Sequence, residues 1–253
     1  MTWFEIAAIV LAGFGAGMIN TIVGSGTLIT FPVLLFFGYS PVVANVSNSL
    51  GLVFGSLTGA WGYRREIRPI AGMLKRLIPM TVLGSIIGAL LLLVLPPEAF
   101  ATIVPVLIAL ALLLVVLGPR LNRWAAKQEA EALTPGRWIA LMAGVLFAGM
   151  YGGYFGAAQG VLMIGLMSVL LPLGIQQING LKNVLVMIAN LVAVIVFLIV
   201  SPELVNWWVA LCIGVGAFLG GFAGARVGRI LPPNVLRGII VVIGLIAIVN
   251  LLV

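Results

Sequence analysis

Hydrophobic and polar positions alternate in long blocks along this chain. Ten apolar segments can be read, at 3–23, 28–37, 42–63, 77–95, 100–117, 138–155, 161–171, 178–200, 205–227 and 235–253. A helix rises about 1.5 Å per residue and a bilayer core is about 30 Å thick, so eight of these are long enough to cross. The second and the seventh reach only about 15 Å. Each of these follows a glycine-rich break, "GSG" at 24–26 and "GAAQG" at 156–160. Glycine permits a sharp backbone reversal there. Each restart then begins a half-helix whose first N–H groups lack intrahelical partners, which is costly in hydrocarbon unless protein, water or a ligand meets them. Helix N-termini also favour anions.

The one polar stretch of any length, 118–136, includes "AAKQEAEAL", which reads as a short surface helix in a connector. It divides the chain into a first repeat (1–117), a linker (118–137) and a second repeat (138–253). The predicted fold is an all-α integral membrane protein with two inverted-topology repeats of about five hydrophobic segments each, eight long helices plus two short half-helices.

Charge supports the inversion. Twelve of the 13 basic residues fall in three clusters: Arg64, Arg65, Arg68, Lys75 and Arg76; Arg120, Arg123, Lys127 and Arg137; and Arg226, Arg229 and Arg237. Basic clusters between apolar spans mark cytoplasmic loops. The turn "SPE" at 201–203 lacks basic residues and reads as external. An odd number of crossings therefore separates linker and turn, the same holds for the first half, and the halves are mounted oppositely, as in many secondary transporters. Whether the short segments re-enter or cross is left open by parity.

The duplication is also visible in the residues. A shift of 134 positions lays Asn45 on Asn179, Asn48 on Lys182, Ser49 on Asn183, Ser56 on Asn190 and Gly26 on Gly160. Each polar set occupies one helix face. One reading is that these side chains bond helices together in lipid. The other is that they face the two breaks and line a site. Lys182 is the one basic residue within a span; it either snorkels to the interface or meets an anion. Glycines at four-residue spacing (Gly216, Gly220, Gly224, Gly228; Gly84, Gly88) read as close helix packing, in the protomer or in a homodimer.

Composition narrows the classes. The chain is 63% hydrophobic and 8% charged, so lipid must solvate much of its surface. The net charge of +7 is accounted for by loop clusters, which removes nucleic acid as a partner. There is one cysteine, Cys212, and no histidine or aspartate, so no disulfide within the chain, metal set, cofactor or enzymatic site is expected. With Glu5 in place of a basic n-region, the N-terminal segment reads as a retained span.

Two runs, "GAGMINTIVGSGTLITFPVLLFFGYSPVVANVSNSLG" and "YGGYFGAAQGVLMIGLMSVLLPLGIQQINGLKNVLVMIANLVA", resemble the tandem signatures of the TauE/SafE family of sulfite and organosulfonate exporters. The resemblance covers nearly the whole chain and implies a multi-pass prokaryotic plasma-membrane carrier of small sulfur-containing anions. The chain departs from the family where Ser25, Ala157, Ala158 and Gln159 replace richer glycine, so the anion itself is not fixed. Sequence and resemblance together predict a site with N–H groups from Gly24, Ser25, Gly26, Thr27, Ala158, Gln159 and Gly160. Asn20, Asn45, Asn48, Ser49, Gln159, Asn183 and Asn190 would supply neutral hydrogen bonds, and Lys182 the charge. The expected activity is export by alternating access. An anion channel and a non-transporting membrane subunit are the alternatives.

Overall fold

The computed structural model describes residues 1–126 and 134–227, together with 238, 241–243 and 245–246; side chains of 118–126 are not included. The tenth segment, 235–253, lies largely outside the described residues, and Lys127, Gly228, Arg229 and Arg237 lie outside them entirely.

Among the described residues the chain is helical, without strands. The helices are α1 (Trp3–Ile22), α2 (Thr27–Phe36), α3 (Pro41–Gly62), α4 (Arg64–Ile67), α5 (Ala71–Val94), α6 (Pro97–Ala126), α7 (Pro135–Tyr154), α8 (Gln159–Leu170), α9 (Ile175–Val200) and α10 (Trp207–Val227). Single tight turns at Arg68–Ile70 and Pro202–Leu204 join α4 to α5 and α9 to α10. Among the described residues, five helical stretches are long and apolar enough to cross a membrane: α1, α4 with α5, Pro97–Leu117 of α6, α9 and α10. Helices α3 and α7 have 22 and 20 residues but fall outside that set. In α3 the reason is an inward polar stripe, since Asn45, Ser47, Asn48, Ser49, Ser56 and Thr58 are all buried.

Among the described residues, the helices overlap the first nine hydropathy blocks. Helix α6 runs on to Ala126, so the first part of the polar stretch that follows its block is helix. Leu117–Ala126 contains no residue that obliges a stop except Gly118 and Pro119, and a proline one residue after glycine did not end the helix.

Packing relies on glycine. On α10, a Cβ at Gly216 or Gly220 would lie 2.1 or 2.0 Å from the carbonyl oxygens of Val10 and Phe14 on α1. On α5, a Cβ at Gly84 or Gly88 would come equally close to the carbonyls of Leu146 and Met150 on α7. Thus α1 packs along α10 and α7 along α5, each pair with backbones in contact. Outward faces carry exposed Trp3, Phe4, Ile199 and Trp208, the surface expected where hydrocarbon is the solvent.

Candidate functional site

Helix α1 ends inside the bundle. The amides of Val23 and Gly24 both reach back to the Ile19 carbonyl, and Gly24 takes the left-handed conformation at φ +86°. That ending leaves the last carbonyls of α1 without intrahelical donors. Two side chains from α9 supply them. Lys182 Nζ donates to the carbonyls of Asn20 and Thr21, both at 2.9 Å, and Asn183 Nδ2 donates to Thr21 O at 3.3 Å. Lys182 is 0% exposed, so it does not snorkel. Its amine nitrogen lies at the C-terminal end of α1, where the helix dipole favours positive charge.

Helix α7 ends in a related way, with the amides of Phe155 and Gly156 returning to Tyr151 O. Here the carbonyl of Tyr154 accepts from Asn45 Nδ2 of α3 at 2.9 Å. Asn20 and Tyr154 are 134 positions apart, so each helix end is capped from the other half of the chain. The cap is an ammonium on one side and a neutral amide on the other. The left-handed residues keep the same spacing: Gly24 at φ +86° and Ala158 at φ +58°, two residues before Gly26 and Gly160.

The two breaks meet. Gly160 N donates to Gly24 O at 3.0 Å, and a Cβ on either glycine would lie 2.4 Å from the other's Cα. A Cβ on Gly160 would also stand 2.9 Å from Lys182 Cδ, so the lysine stem runs beside this crossing. Neither α2 nor α8 has a side-chain cap at its start. Of the N–H groups expected to face a ligand, three are already committed to carbonyls: Gly24 to Ile19, Gln159 to Gly156 and Gly160 to Gly24.

All fourteen predicted site residues are buried. Around the α2 start, Asn48 donates from Nδ2 to Thr27 Oγ1 at 3.2 Å and accepts at Oδ1 from Thr30 Oγ1, while Asn20 Nδ2 donates to Ser56 Oγ at 3.0 Å. Gln159 Nε2 donates to Ala148 O at 3.0 Å in space that glycine at 152 leaves free. Ser25 Oγ, Asn45 Oδ1 and Gln159 Oε1 have no partner among the described residues. Ser49 turns back to its own helix, donating to Asn45 O at 2.9 Å, and Asn190 shows no side-chain bond that ties it to this cluster. No group of three or more Cys, Asp or Glu among the described residues is placed to hold a metal.

A family model, Sulfite exporter TauE/SafE, matches residues 9–251. The chain belongs to the TauE/SafE sulfite exporter family. It is similar to a probable membrane transporter protein, ORF9, of Sinorhizobium sp, 30% identical over 252 residues, covering 98% of this chain and 92% of the relative. It is also similar to the probable membrane transporter protein YfcA of Escherichia coli K12, 28% identical over 90% of this chain and 82% of the relative. A probable membrane transporter protein of Haemophilus influenzae is 27% identical over 94% of this chain and 90% of its own length. No solved structure matches. With its apolar helices, this TauE/SafE protein is a multi-pass membrane protein of a transporter family.

Thr30 was not singled out from the sequence, nor were three residues that work through a backbone carbonyl. Thr21 offers the carbonyl that Lys182 and Asn183 share, Tyr154 the carbonyl that Asn45 caps, and Tyr151 a hydroxyl that donates to Ala157 O at 2.6 Å. The shift of 134 could have flagged Tyr154, because it falls on Asn20. A backbone carbonyl leaves no mark of its own in sequence.

Proposed function

We propose that this protein is a secondary carrier that exports a small sulfur-containing anion, sulfite or an organosulfonate such as sulfoacetate, across the prokaryotic plasma membrane. Two oppositely mounted repeats, 1–117 and 138–253, would alternate access to one shared site, with eight long helices, the short α2 and α8, and the basic loops cytoplasmic. The observation that carries this reading is the crossing of the two helix breaks at Gly24 and Gly160 beside Lys182, the one fully buried charged side chain among the described residues. Support for the repeat comes from the pairing of α1 with α10 and of α7 with α5, and from left-handed residues 134 positions apart.

Lys182 reaches this crossing with two protons on carbonyls, and those partners carry only partial charge. A substrate oxygen with a full negative charge is a stronger acceptor, particularly where water is excluded. Ser25 and the amides opening α2 stand at the same break and supply neutral donors. An anion leaving the cell also moves down the inside-negative potential, so export needs no carboxylate relay.

Purified protein in liposomes tests the proposal. Loaded sulfite or sulfoacetate should leave by a saturable route and exchange against external unlabelled anion. Flux that rises linearly without exchange would assign a channel, and no flux of either anion would remove the carrier reading.

A further inference from the structure

The outer seam between α3 and α10 carries two adjoining features that the proposed site does not include. One is an apolar groove of about 270 Å³, lined by Phe54 from α3 and by Leu211, Val215, Phe218 and Leu219 from α10. Gly214 gives it depth, since a Cβ there would press to 3.1 Å on the Phe54 ring. The other is a pocket of about 330 Å³ at the end of the same seam, lined by Trp61, Arg64, Phe222 and Arg226. An aromatic row joins them: Phe218 and Phe222 have ring centroids 5.1 Å apart, and Phe222 and Trp61 5.6 Å.

The basic end is organised. The Arg64 guanidinium carbon lies 4.0 Å from the Trp61 ring centroid, and its Nη1 donates to Trp61 O at 3.0 Å. Stacking of this kind orients the fork while leaving most of its donors outward. Among the described residues neither Arg64 nor Arg226 is paired with a carboxylate. Phe54 and Trp61 are two helical turns apart, so groove and cation pair are separated by about 10 Å.

A hydrocarbon slot that ends on two arginines, one of them stacked on a tryptophan, matches one kind of ligand. We propose that the α3–α10 seam binds an anionic phospholipid, with an acyl chain in the Phe54–Leu219 groove and the phosphate on Arg64 and Arg226. A second copy of this chain laid over the seam would have to bury both cations without carboxylate partners, which is unfavourable. Free phosphate would leave the groove unused. The proposal rests on membrane insertion alone and is independent of the transported anion.

The full chain in detergent, exchanged with acyl-matched phosphatidylglycerol or phosphatidylcholine and read by native mass spectrometry, is the test. Retention of phosphatidylglycerol should exceed that of phosphatidylcholine by about tenfold or more, as expected for two basic groups at an anionic headgroup. Arg64→Gln with Arg226→Gln should erase that preference, and Arg64→Lys with Arg226→Lys should keep a part of it. Val215→Trp, which fills the groove and leaves both arginines, should reduce retention of phosphatidylglycerol as well. An undiminished preference in the glutamine variant overturns the proposal. So does inorganic phosphate alone stabilising the protein as much as the lipid does, or a dimer that Val215→Trp dissociates while lipid preference is unchanged. Melting temperatures in phosphatidylcholine confirm that the variants fold.

Discussion

The amide of Gly160 donates to the carbonyl of Gly24 at 3.0 Å, joining residues 136 positions apart through backbone alone. A Cβ on either would overlap the other's Cα, and Gly24 is also left-handed. Gly24→Ala and Gly160→Val should therefore abolish transport and lower the melting temperature. Left-handed backbone alone costs a residue with a Cβ about 1–2 kcal/mol. Gly165→Ala is the control, because nothing lies within 4 Å of a Cβ there; it should melt at or above wild type. Wild-type transport by Gly160→Val would mean that the breaks need not touch during the cycle.

The sequence exposed this crossing as punctuation and little more. "GSG" and "GAAQG" announced two interruptions because glycine and a short apolar restart are local signals. The bond between them is not local, and nothing in either run names its partner. Lys182 was legible as an anomaly, a charge in an oily helix, and its matched position opposite Asn48 hinted at a site. Its actual partners, the carbonyls of Asn20 and Thr21, carry no side-chain signature. The extension of α6 to Ala126 was hidden for a different reason: hydropathy falls at 118, and the helix continues past the apolar boundary.

Lys182→Met should separate charge from scaffold. The substitution removes the desolvation cost of a buried amine but leaves the Asn20 carbonyl without its donor, a loss of about 1–3 kcal/mol, so the two partly offset. The melting temperature should change by only a few degrees, while stabilisation by added sulfite or sulfonate should vanish. Retained anion-dependent stabilisation in Lys182→Met would take the lysine out of the binding site and leave it as a helix cap.

Asn48 holds both hydroxyls of the α2 start, donating to Thr27 and accepting from Thr30. Asn48→Ala leaves these buried groups without that partner, at a cost of about 1–3 kcal/mol. A double-mutant cycle with Thr30→Ala should return a coupling of about 0.5–3 kcal/mol. Additive losses would show that the hydrogen bond between them contributes nothing specific to the fold.

Tyr39, in the loop before α3, donates to Glu5 Oε1 at 2.6 Å. Burial first, then this bond and the negative charge of Glu5, push the phenol up from 10.0 to about 12. The folded state thus holds the proton more tightly than the unfolded chain. The stabilisation is complete below about pH 10 and is lost as pH rises through about 12. Thermal melts across this window should fall more steeply for wild type than for Tyr39→Phe. Parallel curves would indicate that the tyrosine ionises no differently once folded.

The glycine contacts set which parts can move as units. Helix α1 is keyed to α10, and α5 to α7, by carbonyls lodged where side chains would be. Each keyed pair takes one helix from either side of the linker. Cutting the chain at the linker and producing the pieces apart would leave both with rows of bare backbone turned toward lipid. Co-expression, by contrast, should restore a working protein, because the covalent order of the chain and its mechanical order are not the same.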